Sequence, residues 1–245
     1  MSEQLVIPTL SGTFDALASG PDDGRPVLLL HGFPECAYQW EHQLAALGAA
    51  GFRGVAFDQR GYSPGIRPAE VDAYAPDELV GDVLRVAAAL GWPRFDLVGH
   101  DWGSAVAWMV AAAHPDRLRS LTAVSTPHGA AFSAALRGDT DQQKRSEYFR
   151  LFRTPGDAER ELLGWGRAAA VLRGPSSGPG RAVRQAVRRA GRADRGAQLV
   201  PRDAAAGEKR ADHRAHAVRV EHGRSAKRLS THGDRGLPTR CPAAP

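Results

Sequence analysis

The sequence predicts an α/β fold, in which a doubly wound, mostly parallel sheet is covered by helices on both faces. Two observations carry this prediction. Short apolar runs of strand length alternate with longer segments whose apolar residues recur at helical spacing. One of the short runs leads into a small-x-Asp-x-small pattern at residues 99–103, which is typical of a sharp strand-to-helix turn.

Four apolar runs have the length and composition of buried parallel strands. They occupy residues 26–30, 54–57, 95–98 and 121–124. Two segments between these runs are predicted to be helices. Residues 79–90 have apolar positions at helical spacing and end at Gly91-Trp92-Pro93, and residues 104–113 follow the third strand. Residues 20–24 are predicted to be a turn between early strands.

Asp101 is the most informative residue, because it stands at the centre of Gly99-His100-Asp101-Trp102-Gly103. The two glycines permit a sharp turn that lifts the middle side chain clear of the backbone. A carboxylate in that place suits displacement at a saturated carbon, which gives a covalent alkyl ester. The alternative is that Asp101 merely caps the following helix. The flanking glycines favour the nucleophile.

Residues from about 5 to 163 resemble the α/β-hydrolase superfamily and, within it, the epoxide hydrolase branch. The matching tracts are HGFPE at 31–35, DQRGYS at 58–63, GHDWG at 99–103 and AAHPDRLRSL at 112–121. The tract SEYFRLFRTPGDAE at 146–159 resembles the start of that family's helical cap. The resemblance implies an α/β-hydrolase core at 1–130 and the beginning of the cap at 131–163.

The resemblance also implies a mechanism. Asp101 would attack an epoxide carbon while Tyr148, on the cap segment, donates a hydrogen bond to the leaving oxygen. In the family a water activated by a His–acid pair then hydrolyses the ester to a diol. No residue of this sequence is assigned to that pair or to the family's second cap tyrosine, so the catalytic acid and base are expected to be absent.

An oxyanion hole is implied beside Asp101. The backbone N–H groups of Phe33 and Trp102 would form it. His31, Gly32 and Pro34 would shape the first of these loops, with Pro34 following a cis peptide bond, which proline permits at low cost.

The composition changes near residue 164. Residues 1–163 hold 14 Lys+Arg against 21 Asp+Glu, whereas residues 164–245 hold 18 against 6. The later segment contains no Ile, Phe, Tyr or Met, and its few Val and Leu residues follow no sustained period. Such a segment cannot bury enough apolar surface to offset its chain entropy, so 164–245 is expected to be an irregular, aberrant basic tail.

A shift of the reading frame near residue 163 explains this tail best. With one base dropped, codons for residues 194–203 can encode TAALSWYRA, which resembles the second cap-tyrosine motif of epoxide hydrolases. Codons for residues 212–223 can likewise encode ITVPTLYVWST, a good strand followed by a turn. Arg outnumbers Lys 29 to 3, as GC-rich codons would give. The chain as written is therefore expected to be truncated and inactive.

Two other functions stay open. A dehalogenase would use the same aspartate, but it needs N–H donors to a halide, often from tryptophan, and Tyr148 favours the epoxide. A non-catalytic binding module would use the basic tail to bind a polyanion. The tail's arginines, however, are scattered without aromatic residues on which bases stack.

Cofactors, metals and membranes are not expected. There is no phosphate-binding Gly-rich loop or HExxH pattern, and Cys36 and Cys241 form no metal motif. No secretion signal or apolar run of membrane length is present in the sequence, which predicts a cytoplasmic location. The expected partner is a small apolar substrate, an epoxide, rather than a membrane or a specific nucleic acid. The oligomeric state is not predicted.

Overall fold

The computed structural model describes residues 2–149. The predictions for the basic tail at 164–245, and for the part of the cap segment after residue 149, lie outside the described residues.

Within residues 2–149, six strands form one mixed sheet. They are β1 (Glu3–Thr9), β2 (Gly12–Ser19), β3 (Arg25–Leu30), β4 (Phe52–Phe57), β5 (Phe95–His100) and β6 (Leu118–Val124). Their order across the sheet is β1-β2-β4-β3-β5-β6. β2 pairs antiparallel with β1 and β4, whereas the β3–β4, β3–β5 and β5–β6 pairs are parallel. The predicted doubly wound, mostly parallel sheet is confirmed.

In the described part of the chain, five α-helices connect or follow these strands. They are α1 (Glu41–Ala49), α2 (Pro76–Ala89), α3 (Trp102–Ala113), α4 (Gly129–Gly138) and α5 (Thr140–Arg145). In α2, Pro76 occupies the first turn, where a missing N–H costs nothing. The helix stops before Gly91, whose φ of +73° suits a glycine past a helix end. Across residues 2–149, no helix is long and apolar enough to cross a membrane.

Helices cover both faces of the sheet, which explains why the predicted strand at 26–30 is apolar throughout. Leu28 and Leu30 pack into a layer with side chains from α2 and α3. Val27 and Leu29 point the other way and pack with Leu44 of α1. All four strand residues are buried, and burial stabilises the fold by roughly 1.5–3 kcal/mol for each such side chain.

A buried ion pair anchors the loop that follows β4. The Arg60 guanidinium donates to both carboxylate oxygens of Asp82 on α2, at 2.7 and 2.8 Å. In the same loop, Asp58 accepts a hydrogen bond from the Ala37 N–H at 2.6 Å. The ion pair orders the loop at 58–63 against α2, and the Asp58 hydrogen bond orders it against the segment that follows β3.

The segment predicted as the start of a cap is helical where it is described. It contains α4 and α5, with Asp139 accepting hydrogen bonds from the Asp141 and Gln142 N–H groups at the start of α5. The domain boundaries at 130 and 163 stay predictions.

Candidate active site

Asp101 lies on a tight turn between β5 and α3. Its φ of +50° and ψ of −117° are unusual for a residue with a Cβ. The neighbouring glycines make the turn possible. A Cβ on Gly99 would lie 2.4 Å from the Gly103 carbonyl oxygen, and one on Gly103 would lie 2.4 Å from the Leu30 carbonyl oxygen. The predicted strand–turn–helix geometry is therefore present.

Hydrogen bonds hold the Asp101 backbone in this conformation. The Asp101 N–H donates to the Val124 carbonyl at 3.1 Å, and the Asp101 carbonyl accepts from the Ser104 N–H at 3.0 Å. The Thr126 hydroxyl donates to the same carbonyl at 2.9 Å. A backbone strain of about 1–3 kcal/mol is typical of such a residue, and these contacts offset it.

Thr126 is a site residue that the sequence interpretation missed. Besides bonding Asp101, its carbonyl accepts from the Trp108 indole N–H at 3.1 Å and from the Ser104 hydroxyl at 3.3 Å. The available signal was position, because Thr126 follows β6, the parallel neighbour of the strand that leads to Asp101.

The loop after β3 brings a backbone donor to Asp101. The Phe33 N–H donates to Asp101 Oδ1 at 3.0 Å. Gly32 allows this approach, since a Cβ there would lie 2.7 Å from the Asp101 Cβ. The Phe33–Pro34 peptide bond is cis, as expected. Of the predicted loop residues, His31 is fully buried.

Trp102, the second proposed donor, is the first residue of α3. The N–H groups in the first turn of a helix have no intrahelical acceptor. They also lie at the positive end of the helix dipole, which favours a negative charge nearby. The carboxylate of Asp101 precedes this end directly.

Gln39, which the sequence interpretation also missed, connects the loop after β3 to the turn at Asp101. Its Oε1 accepts from the Gly32 N–H at 3.1 Å, and its Nε2 lies 2.7 Å from His100 Nδ1. The same His100 nitrogen lies 3.5 Å from Glu35 Oε2. The nearby Glu35 carboxylate raises the pKa of His100, although partial burial opposes the shift. The His100 side chain therefore faces Gln39 and Glu35.

Tyr148 follows α5 and is half exposed. Burial raises the pKa of Tyr148, and the negative charge of Asp101 raises it further. The Tyr148 ring contacts Phe149, with centroids 4.5 Å apart, and Phe149 contacts Phe132 of α4 at 5.8 Å. These ring contacts connect Tyr148 to α4.

Metal-binding groups are not assembled around this site. Within residues 2–149 there is no cluster of three or more His, Cys, Asp or Glu side chains that could hold a metal ion.

Residues 25–190 match the family model described as the alpha/beta hydrolase fold. The chain belongs to the α/β-hydrolase fold family. This α/β-hydrolase match runs past residue 163, where the basic tail is predicted to begin.

The α/β-hydrolase is similar to several epoxide hydrolases. Epoxide hydrolase B of Mycobacterium tuberculosis is 42% identical over 154 residues, which are 62% of this chain and 41% of that protein. Mouse Epoxide hydrolase 4 is 36% identical over 143 residues, 58% of this chain and 39% of that protein. The chain spans about two fifths of the length of these relatives.

Solved structures give the same result. An epoxide hydrolase from metagenomes of hot environments superimposes with a TM-score of 0.66 and 34% identity, covering 81% of this chain and 68% of that one. The Bacillus megaterium epoxide hydrolase superimposes with a TM-score of 0.67 and 28% identity, covering 80% and 69%. The chain is an epoxide hydrolase-like α/β-hydrolase.

His100→Asn is expected to make stability more sensitive to acid. Because its folded-state pKa is raised, His100 contributes stability that is fully present below its unfolded pKa of about 6.5 and is lost as pH rises through the folded value. Asparagine keeps an acceptor for Gln39 but does not titrate. On acidification from about pH 8 to pH 5.5, the variant should therefore lose more unfolding free energy than the wild type in urea titrations. Parallel pH profiles of the two proteins would contradict the prediction.

Proposed function

We propose that this α/β-hydrolase carries out epoxide hydrolase chemistry, with Asp101 as the nucleophile. The observation that carries the proposal is the contact between the Phe33 N–H and Asp101 Oδ1 at the turn. One carboxylate oxygen is held by a backbone donor, so the other is presented to a substrate. The relatives named epoxide hydrolases support a small apolar epoxide as that substrate.

In the proposed first step, a bond forms between the free Asp101 oxygen and an epoxide carbon while the carbon–oxygen bond of the ring breaks. Tyr148 gives its proton to the leaving oxygen. The product is an alkyl ester whose carbonyl oxygen stays against the N–H groups of Phe33 and Trp102. Those donors would stabilise the tetrahedral oxyanion when water attacks the ester.

The proposed second step needs a water-activating His–acid pair, and none is assigned. His213, His216, His222 and His232 occur in the basic tail, and none of them is assigned as the base. We propose that the tail is encoded in a shifted frame and that the ester formed on this chain is not hydrolysed.

Incubation of the chain with styrene oxide is expected to give one covalent adduct. The reason is that the anionic Asp101 attacks the ring but no activated water removes the ester. Mass spectrometry of the digested protein should locate the adduct on the peptide that contains Asp101.

Asp101→Asn supplies the matched control, since the amide keeps the side chain's shape but is a poor nucleophile. It should leave the protein unmodified. An adduct that persists in this variant would refute the nucleophile, and steady diol formation by the wild type would refute the stalled second step. Alkylation by a haloalkane but not by an epoxide would support the dehalogenase alternative.

Tyr148→Phe should slow the alkylation by about a hundredfold or more, the usual contribution of a positioned proton donor. The rate of adduct formation at fixed styrene oxide concentration measures this effect. Tyr74→Phe is the matched control, because the Tyr74 hydroxyl donates to the Pro68 carbonyl. Equal rates in the Tyr148 variant and the control would remove the proton donor from the mechanism.

A one-base correction near codon 163 should convert the chain into a catalyst. The corrected frame is expected to encode a second cap tyrosine within WYR, an acid after the TLYVW-like strand and a late histidine. Hydrolysis of styrene oxide to the diol, measured by chromatography, should then proceed over many turnovers and be lost in Asp101→Asn. A corrected frame that lacks the acid and the histidine, or genomic sequence that confirms the present frame, would disprove the frame shift.

A further inference from the structure

The buried His31 ring has a defined partner at each nitrogen. Its Nε2 lies 3.0 Å from the Gln59 backbone nitrogen, and its Nδ1 lies 2.9 Å from the Gly32 carbonyl oxygen. A backbone N–H can only donate, so Nε2 must accept and carry no proton. The single ring proton of neutral His31 therefore sits on Nδ1 and is donated to the Gly32 carbonyl.

The Gly32 carbonyl belongs to the same peptide unit as the Phe33 N–H. This unit is planar, so the direction of its carbonyl oxygen fixes the direction of its N–H. The Phe33 N–H in turn donates to Asp101 Oδ1 at 3.0 Å. One rigid peptide thus connects the proton on His31 Nδ1 to the carboxylate of Asp101.

We propose that His31 is a positioning residue for the Phe33 oxyanion-hole donor, and that it acts through the Gly32–Phe33 peptide without touching substrate. The inference rests on the proposed function, in which that N–H serves the ester on Asp101. The Gly32 carbonyl also accepts from the Glu35 N–H at 3.0 Å, so donation from Nδ1 aims the peptide together with that contact. Donation from Nδ1 also polarises the peptide, which makes the N–H at its other end a stronger donor.

The surroundings of His31 keep its ring in this state. The Gln59 side-chain amide donates to the His31 carbonyl at 2.7 Å, so the residue is held by its backbone as well as by its ring. The Tyr62 ring packs edge-on against the imidazole, with centroids 4.5 Å apart. Burial lowers the pKa of His31, partly opposed by the nearby Asp58 carboxylate, and this favours the neutral ring.

Two substitutions separate the positioning role from simple support of the loop. The amide of asparagine reaches about as far as Nδ1, so His31→Asn can keep the donor to the Gly32 carbonyl and loses the acceptor for Gln59. The amide of glutamine reaches about as far as Nε2, so His31→Gln can keep that acceptor and loses the donor. Both variants remove one buried hydrogen bond, and their melting temperatures should fall by similar amounts.

The direct readout is the amide proton of Phe33 in the full chain labelled with ¹⁵N-phenylalanine, assigned by its loss in Phe33→Leu. Its resonance should stay downfield in His31→Asn and move upfield in His31→Gln. Styrene oxide alkylation of Asp101 should fall about tenfold or more in the glutamine variant, because a misaimed Phe33 N–H no longer holds the carboxylate with its second oxygen presented to the substrate. The alkylation rate of the asparagine variant should stay within about threefold of the wild-type rate.

An unchanged Phe33 resonance in both variants would overturn the proposal. So would alkylation rates that fall equally in both variants and follow only the change in melting temperature. The wild type gives a second test that needs no folded variant. In ¹⁵N-histidine-labelled protein, His31 should show a proton on Nδ1 and none on Nε2, and the opposite tautomer would overturn the proposal. If the wild type shows the expected tautomer and amide resonance but no alkylation, the proposed chemistry fails while the positioning role stands.

Discussion

The hydrogen bond from the Phe33 N–H to Asp101 Oδ1 requires two loops to approach within van der Waals distance. β3 and β5 are parallel neighbours, so their carboxyl ends meet at one edge of the sheet and deliver both loops there. The approach leaves no room for a Cβ at Gly32 or Gly103, whereas a Cβ at Gly99 would clash with Gly103 within the turn itself. Gly32 and Gly103, which belong to different sequence motifs, are thus consequences of one steric constraint.

The same constraint places Asp101 in a strained conformation, and the rest of the sheet supplies the compensation. β6 and the residues after it hold the Asp101 backbone through the Val124 carbonyl and the Thr126 hydroxyl. Three adjacent parallel strands therefore act on one residue: β5 carries it, β3 delivers its N–H donor, and β6 supports it. A change in the order of these strands would remove the site even if every side chain were retained.

The sequence predicted the parallel strands between residues 26 and 124, the helices α2 and α3, and the turn at Asp101. These elements were predictable because the spacing of apolar residues and the glycines at segment ends are local signals. The turn predicted at residues 20–24 lies between β2 and β3, but β1, its pairing with β2, and α1 were not predicted. Val6 on β1 is 67% exposed, and α1 buries Leu44 as its one buried residue, so neither shows a clear apolar pattern. Gln39 and Thr126 were missed for another reason. Their side chains bond to backbone atoms of Gly32 and Asp101. Every residue type has these atoms, so the sequence carries no matching signal at Gly32 or Asp101.

The electrostatic surroundings of Asp101 suit the nucleophile proposed for it. Such a carboxylate has to stay ionised, yet a direct ion pair would occupy the oxygen that is proposed to attack. The loop at 58–63 carries one guanidinium, that of Arg60, which donates hydrogen bonds to the carboxylates of Asp82 and Glu78.

Burial raises the pKa of Asp58 and of the Tyr62 phenol and lowers the pKa of His31, which favours the uncharged forms of these side chains next to the turn at Asp101. Among residues 2–149, the groups that face the negative charge of Asp101 are peptide dipoles, from Phe33 and the start of α3, and no ion pair is formed with it. Dipoles fixed by the backbone can stabilise that charge, and later an oxyanion at the same place, without blocking the second oxygen.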